Sequence, residues 1–190
     1  GGAGEFGPMA DAWFFQPFEA TKGVLDGRTS AEVVDPAALS GLGGRWEPAE
    51  LVGDAPPAAS RVAFARWGWV VYLFGGQTVS GTGASLYRWD VRRGVVQQLD
   101  AASPIARAAA SMVVGDFGSA LYVFGGEDAT GWHYDVWKYD LDGGGWSLVR
   151  EECTQGECPA ASPGAALAYR PVAGDLLVLP GLASAPQPVW

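Results

Sequence analysis

Residues 127–135, EDATGWHYD, combine acids, two amphipathic aromatics and the only histidine of the chain, among them Glu127, Asp128, Trp132, Tyr134 and His133. On a loop, such side chains anchor contacts with other proteins. The rings bury much area at small entropic cost, and the carboxylates select a partner by charge. The same residues also suit a solvated hairpin whose rings only cover their neighbours. Arg61 and Arg107 offer a second chemistry, since a planar guanidinium clasps a carboxylate through two parallel hydrogen bonds. The carboxylate belongs either to another molecule or to an internal residue such as Asp90 or Asp140.

Other chemistries lack their residues. A serine hydrolase would set His133 beside a nucleophile on a G-x-S-x-G elbow, and no such elbow occurs. There is no G-x-x-x-x-G-K-[ST] loop to cradle a nucleotide. Cys153, Cys158 and His133 together fall short of the four ligands of a structural zinc site. The two cysteines, in CTQGEC, are expected to be a reduced pair, with a small disulfide loop as the alternative. No catalytic residue, cofactor or metal is assigned.

Charge narrows the partners. Twelve basic against 21 acidic residues leave a net charge of −9, which repels nucleic acid and anionic membranes at long range and leaves proteins as the partner class. The acids are spread along the chain, which also serves solubility. No apolar run reaches the roughly 18–20 residues of a membrane helix, and no basic segment followed by an apolar one opens the chain. A soluble, cytoplasmic protein is expected. The first eight residues, GGAGEFGP, read as an expression remnant ahead of a natural start at Met9.

The elements that must position these residues are strands. Twenty-eight glycines and 13 prolines, with nine Trp, eight Phe and six Tyr, favour short strands joined by tight turns. No apolar pattern at helical spacing persists over ten positions, so the chain reads as all-β. VYLFGG at 71–76 returns as LYVFGG at 121–126, and LYRWD at 86–90 returns as VWKYD at 136–140, both at a shift of fifty. Each unit runs from a Pro-led segment (57–64; 104–114) to an apolar strand ending in Gly-Gly. A polar loop, an alternating strand ending in Asp, and a final short strand opening at Val96 or Trp146 complete it. That order predicts four strands per unit. The double glycine permits positive φ or an approach too close for a Cβ, and the terminal Asp caps the next turn.

This order resembles the kelch repeat, whose hydrophobic strand closes in Gly-Gly and is followed by a Tyr and a Trp. Here Tyr87 or Tyr139 stands near the end of the third strand and Trp146 at the fourth. The resemblance covers residues 57–149 and implies a β-propeller in which each unit is one four-stranded antiparallel blade. It also implies protein binding through loops at one propeller face. Here these are 77–85, 127–135 and 182–188, which adds Gln77 and Thr78 to the partner-binding candidates. Arg61 and Arg107 would then open first strands beside the central channel. Kelch-type copper-radical oxidases use two histidines and a Tyr cross-linked to Cys; this chain has one histidine, and its cysteines lie outside the two clear repeats. Kelch nitrile-specifier proteins hold iron with Glu, Asp and His at a regular spacing that Glu127, Asp128 and His133 do not match.

Outside that span the pattern weakens. Residues 9–56 read as a degenerate first blade, with AEVVDP at 31–36 as a third strand, RWEPAEL at 45–51 as a fourth and WFFQPF at 13–18 as an earlier one. Clear repeats follow at 57–103 and 104–150. Residues 151–190 form a partial copy in which DLLVLPG puts Pro180 in place of the first glycine. About three and a half blades result, whereas a closed ring of units near 50 residues takes roughly 200 residues at the four-blade minimum. The expectation is therefore an incomplete kelch-type propeller of about 3 to 4 blades. It is a fragment of a longer protein, or it assembles through open blade edges with another protein or a second copy of itself. Its expected function is protein–protein interaction. The alternative is part of a kelch enzyme or carbohydrate-active protein whose catalytic residues lie outside this chain.

Overall fold

The computed structural model describes residues 3–4, 7–8, 13–17, 44–99, 106–151, 159, 165–179 and 181. Cys153, Cys158, the 31–36 segment and the 182–188 loop lie outside them. The described residues are all-β apart from one 3-10 turn at Asp116–Gly118, and they include no helix long and apolar enough to cross a membrane. The chain divides into two compact units, one of them Asp11–Glu50 and the other containing Gly1–Ala10 and Leu51–Trp190.

Strands β1 (Ala3–Gly4) and β2 (Gly7–Pro8) pair within the stretch read as a remnant. In the Asp11–Glu50 unit, β3 (Trp13–Pro17) pairs directly and antiparallel with β4 (Gly44–Pro48). Next come β5 (Val52–Gly53), β6 (Ala63–Trp67), β7 (Val70–Phe74), β8 (Gln77–Thr78), β9 (Gly81–Thr82), β10 (Leu86–Asp90) and β11 (Val95–Leu99). Strands β6, β7, β10 and β11 form an antiparallel meander, and β5 adds to β11 in parallel. Residues 52–53, read from sequence as part of an earlier blade, thus belong to the sheet of the following repeat.

The second repeat has the same plan. Strands β12 (Ser111–Gly115), β13 (Ala120–Phe124), β14 (Glu127–Asp128), β15 (Gly131–Trp132), β16 (Val136–Asp140) and β17 (Trp146–Arg150) follow, with β12-β13-β16-β17 as the sheet. The third copy contributes the hairpin β18 (Ala166–Arg170) and β19 (Asp175–Leu179). The uniform shift of fifty holds only from β7 onward. The β6–β7 hairpin turns on Gly68–Trp69 alone, whereas β12–β13 uses residues 116–119, so the inner strands correspond at a shift of 48. Arg61 therefore corresponds to Ala109 and Arg107 to Ala59, and the two arginines are not equivalent.

The sheets stack by one rule. Alternation sends Ala63, Ala65, Tyr72, Phe74 and Leu86 to one face of the first sheet. They meet Met112, Val114, Leu121, Val123 and Tyr139 from the second. Trp146 seals this layer, its ring 5.1 Å from Phe74 and 5.2 Å from Tyr139. The opposite face of the second sheet meets the third hairpin, where Tyr122 stacks on Tyr169 at 5.7 Å. Asp90 and Asp140 each cap the turn that follows them, Oδ1 accepting two backbone N–H bonds. They are not available to Arg61 or Arg107.

Candidate functional site

The inner strands β6, β12 and β18 run side by side, and a groove of about 520 Å³ opens along their leading ends. Arg61 and Phe64 line it from the first sheet, Ala110 and Met112 from the second, and Ala166 and Leu167 from the third. Ala109, Ala110, Ala165 and Ala166 give it small side chains, and Phe64 stands 67% exposed. At the groove's mouth Arg61 and Ala109 both adopt left-handed backbone, φ 57° and 54°, which costs roughly 1–2 kcal/mol for a non-glycine residue. The Ala109 N–H donates to the Arg61 carbonyl at 2.8 Å, so the two kinks are sewn together.

The loops after Gly-Gly emerge at this same end. Gly75 and Gly76 take φ 67° and 99°, and a Cβ on Gly75 would lie 2.2 Å from the Arg107 carbonyl oxygen. Gly76 N–H donates to that oxygen at 2.9 Å, so both expected uses of the pair are realised at once. Bridges Ser60–Gln77 and Ala108–Glu127 then lead into the small hairpins β8–β9 and β14–β15. Thr78 closes the first, its Oγ1 donating to Gly81 O at 2.8 Å, and Gln77 Nε2 donates to Thr78 O at 3.2 Å. Asp128 closes the second by accepting from Thr130 N–H and Oγ1 at 2.7 and 2.6 Å.

Of the residues singled out from sequence, some face the groove's end and some do not. The Arg61 guanidinium pairs with the Glu127 carboxylate, joining the groove's mouth to the second loop, and both remain partly exposed. Trp132 and Tyr134 are half-buried. His133 is buried beneath the hairpin, its Nε2 3.2 Å from Asp128 Oδ2 and its N–H on Gly126 O. The Asp128 carboxyl lies at about 2, held down by the Thr130 hydroxyl and N–H and further by His133.

Arg107 departs most from its expected place. It is fully buried, 0% exposed, and grips Asp135 with Nη1–Oδ1 at 2.6 Å and Nη2–Oδ2 at 3.0 Å. Nη1 also donates to Gly125 O at 2.8 Å, and Trp137 Nε1 donates to Asp135 Oδ2 at 2.6 Å. Burial pushes the Asp135 carboxyl up, but the bonds and charge of Arg107 outweigh it and the net shift is downward. Arg107 is a strut under the loop and not a contact residue. Its acid is Asp135, which neither spacing nor motif pointed to.

A second polar cluster was not legible in the sequence. Asp116 sits at the tip of the β12–β13 hairpin in left-handed backbone, φ 47°. It accepts Lys138 Nζ at 2.6 Å, Tyr169 Oη at 2.6 Å and Tyr122 Oη at 2.9 Å. These bonds, Lys138 first, hold its carboxyl at about 2 against an ordinary 3.8, while both phenols are raised and stay protonated donors. With every group engaged by another, the cluster ties the second sheet to the third. Because its folded value is depressed, Asp116 contributes stability that is present above about pH 4 and lost as pH falls toward 2. Asp116→Asn is expected to lower the thermal midpoint at neutral pH and to flatten its fall between pH 4 and 2, as thermal scans across that range would read out. An unchanged slope would contradict this role.

No protein-family model matches the chain, and no curated protein matches it.

Proposed function

We propose that the chain is a protein-interaction module of the kelch propeller type, which takes an extended segment of a partner along the groove of its inner strands. The groove itself carries this reading. It is a strip lined by small side chains, with an exposed phenyl ring on one side and an ion pair at its mouth, and an extended peptide offers side-chain anchors for such a strip. Arg61 and Glu127 supply one charge of each sign, so a partner's acid or base at that point exchanges with the internal pair. Trp132 and Tyr134 lie on the loop that Glu127 opens.

Two further observations support the propeller and the open-edge expectation. The two repeats share strand order and pairing, and the second sheet offers one face to the first sheet and the other to the third hairpin. Leu148 and Val149 on β17 and Leu179 on β19 are exposed apolar residues on strands that lack a further ladder partner among the described residues. A strand from another protein or from a second copy would cover them. A mass in solution that rises with concentration would report the second copy.

The groove is tested with peptides selected from a random heptapeptide library against the wild-type chain. Ala166 is exposed, so Ala166→Trp fills the groove without entering the core. Ala166→Trp and Phe64→Ser are each expected to weaken the selected peptides at least about tenfold, as in loss of an interface anchor, with the thermal midpoint unchanged. Peptides bound equally by both variants would refute the groove as the site.

A further inference from the structure

The ends of the sheets opposite the groove's mouth carry a different surface. The β6–β7 hairpin presents Trp67 and Trp69, 51% and 58% exposed. Gly68 supplies the left-handed residue that this tight turn needs, φ 57°, so the turn itself makes no demand for an indole at 69. Both rings are nevertheless fixed. A Cβ on Gly118 of the neighbouring hairpin would lie 2.4 Å from Trp67 Nε1, so that indole packs directly on the glycine. The β10–β11 turn is bonded to the hairpin through Val91 N–H and Trp69 O at 3.0 Å, and it lays the Arg92 guanidinium 5.3 Å from the centre of the Trp69 ring.

Arginines surround these rings. Arg66, Arg92 and Arg93 are all exposed, and Asp90, which caps its own turn, stands 3.9 Å from Arg93. Three of the chain's 12 basic residues thus meet at one hairpin end of a molecule whose net charge is −9. At this hairpin the three arginines outnumber the one acid, Asp90, that stands beside them. Tryptophan and arginine are the side chains most enriched where binding energy concentrates, and an indole already stacked under a guanidinium is held in place for a ligand.

We infer that this hairpin end is a second docking site, and that its occupant is an acidic, extended segment of a partner protein bearing an apolar side chain. The arginines pair with the carboxylates and the indoles cover the apolar group. The remaining acidic surface repels the same segment, so the patch fixes where it lands as well as how tightly it is held. Docking here is independent of the groove and shares no residue with it.

The probe is a fluorescein-labelled peptide alternating Glu with Phe, compared with its Lys–Phe counterpart by fluorescence anisotropy. The Glu peptide is expected to bind, more weakly as salt rises, and the Lys peptide not to bind. The charge reversal Arg92→Glu with Arg93→Glu is expected to weaken binding at least about tenfold, and Trp69→Ser by a similar factor. Ala166→Trp is expected to leave it unchanged. These side chains lie outside the core, and an unaltered thermal midpoint in each variant shows that the fold is intact. Three results would overturn the inference: no binding of the Glu peptide by the wild type, equal binding by the variants, or recruitment to phosphatidylserine vesicles through Trp69 and Arg92 in place of peptide binding.

Discussion

Arg107→Ala is expected to destabilise the chain by about 3–5 kcal/mol, because it strands a buried carboxylate. The guanidinium has no contact with solvent, and its removal takes the partner from both oxygens of Asp135 and a donor from Gly125 O. Urea unfolding measures the loss directly. Arg107→Lys is expected to recover little of it, since one ammonium cannot reproduce a planar fork held by two carboxylate oxygens and a carbonyl. Combining Arg107→Met with Asp135→Leu is expected to be less harmful than Arg107→Ala, despite removing more polar groups. The uncompensated charge is gone, and the residual cost is the Trp137 N–H and the Gly125 carbonyl left without a partner, about 1–3 kcal/mol for each. If the double replacement proves worse than the single one, the pair contributes favourable energy of its own rather than only satisfying itself.

Gly75→Ala carries the second large expectation, a loss of about 3 kcal/mol. Roughly 1 kcal/mol comes from placing an L-residue at φ 67°. The rest comes from pushing the Arg107 carbonyl, 2.2 Å from the new Cβ, off its hydrogen bond with Gly76 N–H. Gly68→Ala separates the two causes. Its φ is 57° with nothing within 4 Å of a Cβ, so it carries strain alone and is expected to cost about 1 kcal/mol. Both values are read from chemical unfolding midpoints. Equal losses at the two positions would mean that close approach at Gly75 counts for nothing.

The sequence was most readable where local chemistry dictates structure. LYRWD, VWKYD and the apolar run before each Gly-Gly are strands at the expected residues, since alternation, β-branched and aromatic content and the following glycines all act within a few positions. Asp90 and Asp140 cap their own turns for the same local reason. Equivalence across repeats was less readable. The two extra residues of the β12–β13 turn lie between strands that each look regular, so the change of shift from 50 to 48 at the inner strands has no local signature.

Side-chain roles set by distant neighbours were the least readable. Asp135 finds Arg107 across 28 positions, and Asp116 finds Tyr169 across 53, through sheet stacking that no single segment encodes. Within the loop named from sequence, Glu127 reaches the groove's mouth whereas His133 turns inward to Asp128. The composition of EDATGWHYD is the same for either outcome. The Gly126 carbonyl takes the His133 N–H, and a Cβ on Gly126 would lie 3.0 Å from the Ala110 Cβ.

Photo-crosslinking reads out whether the groove of the inner strands holds a partner's polypeptide, with benzoylphenylalanine at position 64, at position 166, or at the solvent-exposed hairpin position 172 as control, followed by mass spectrometry of the adduct. A library-selected peptide is expected to crosslink from 64 and from 166 and not from 172. Adducts from 172 alone, or from none of the three positions, would contradict it.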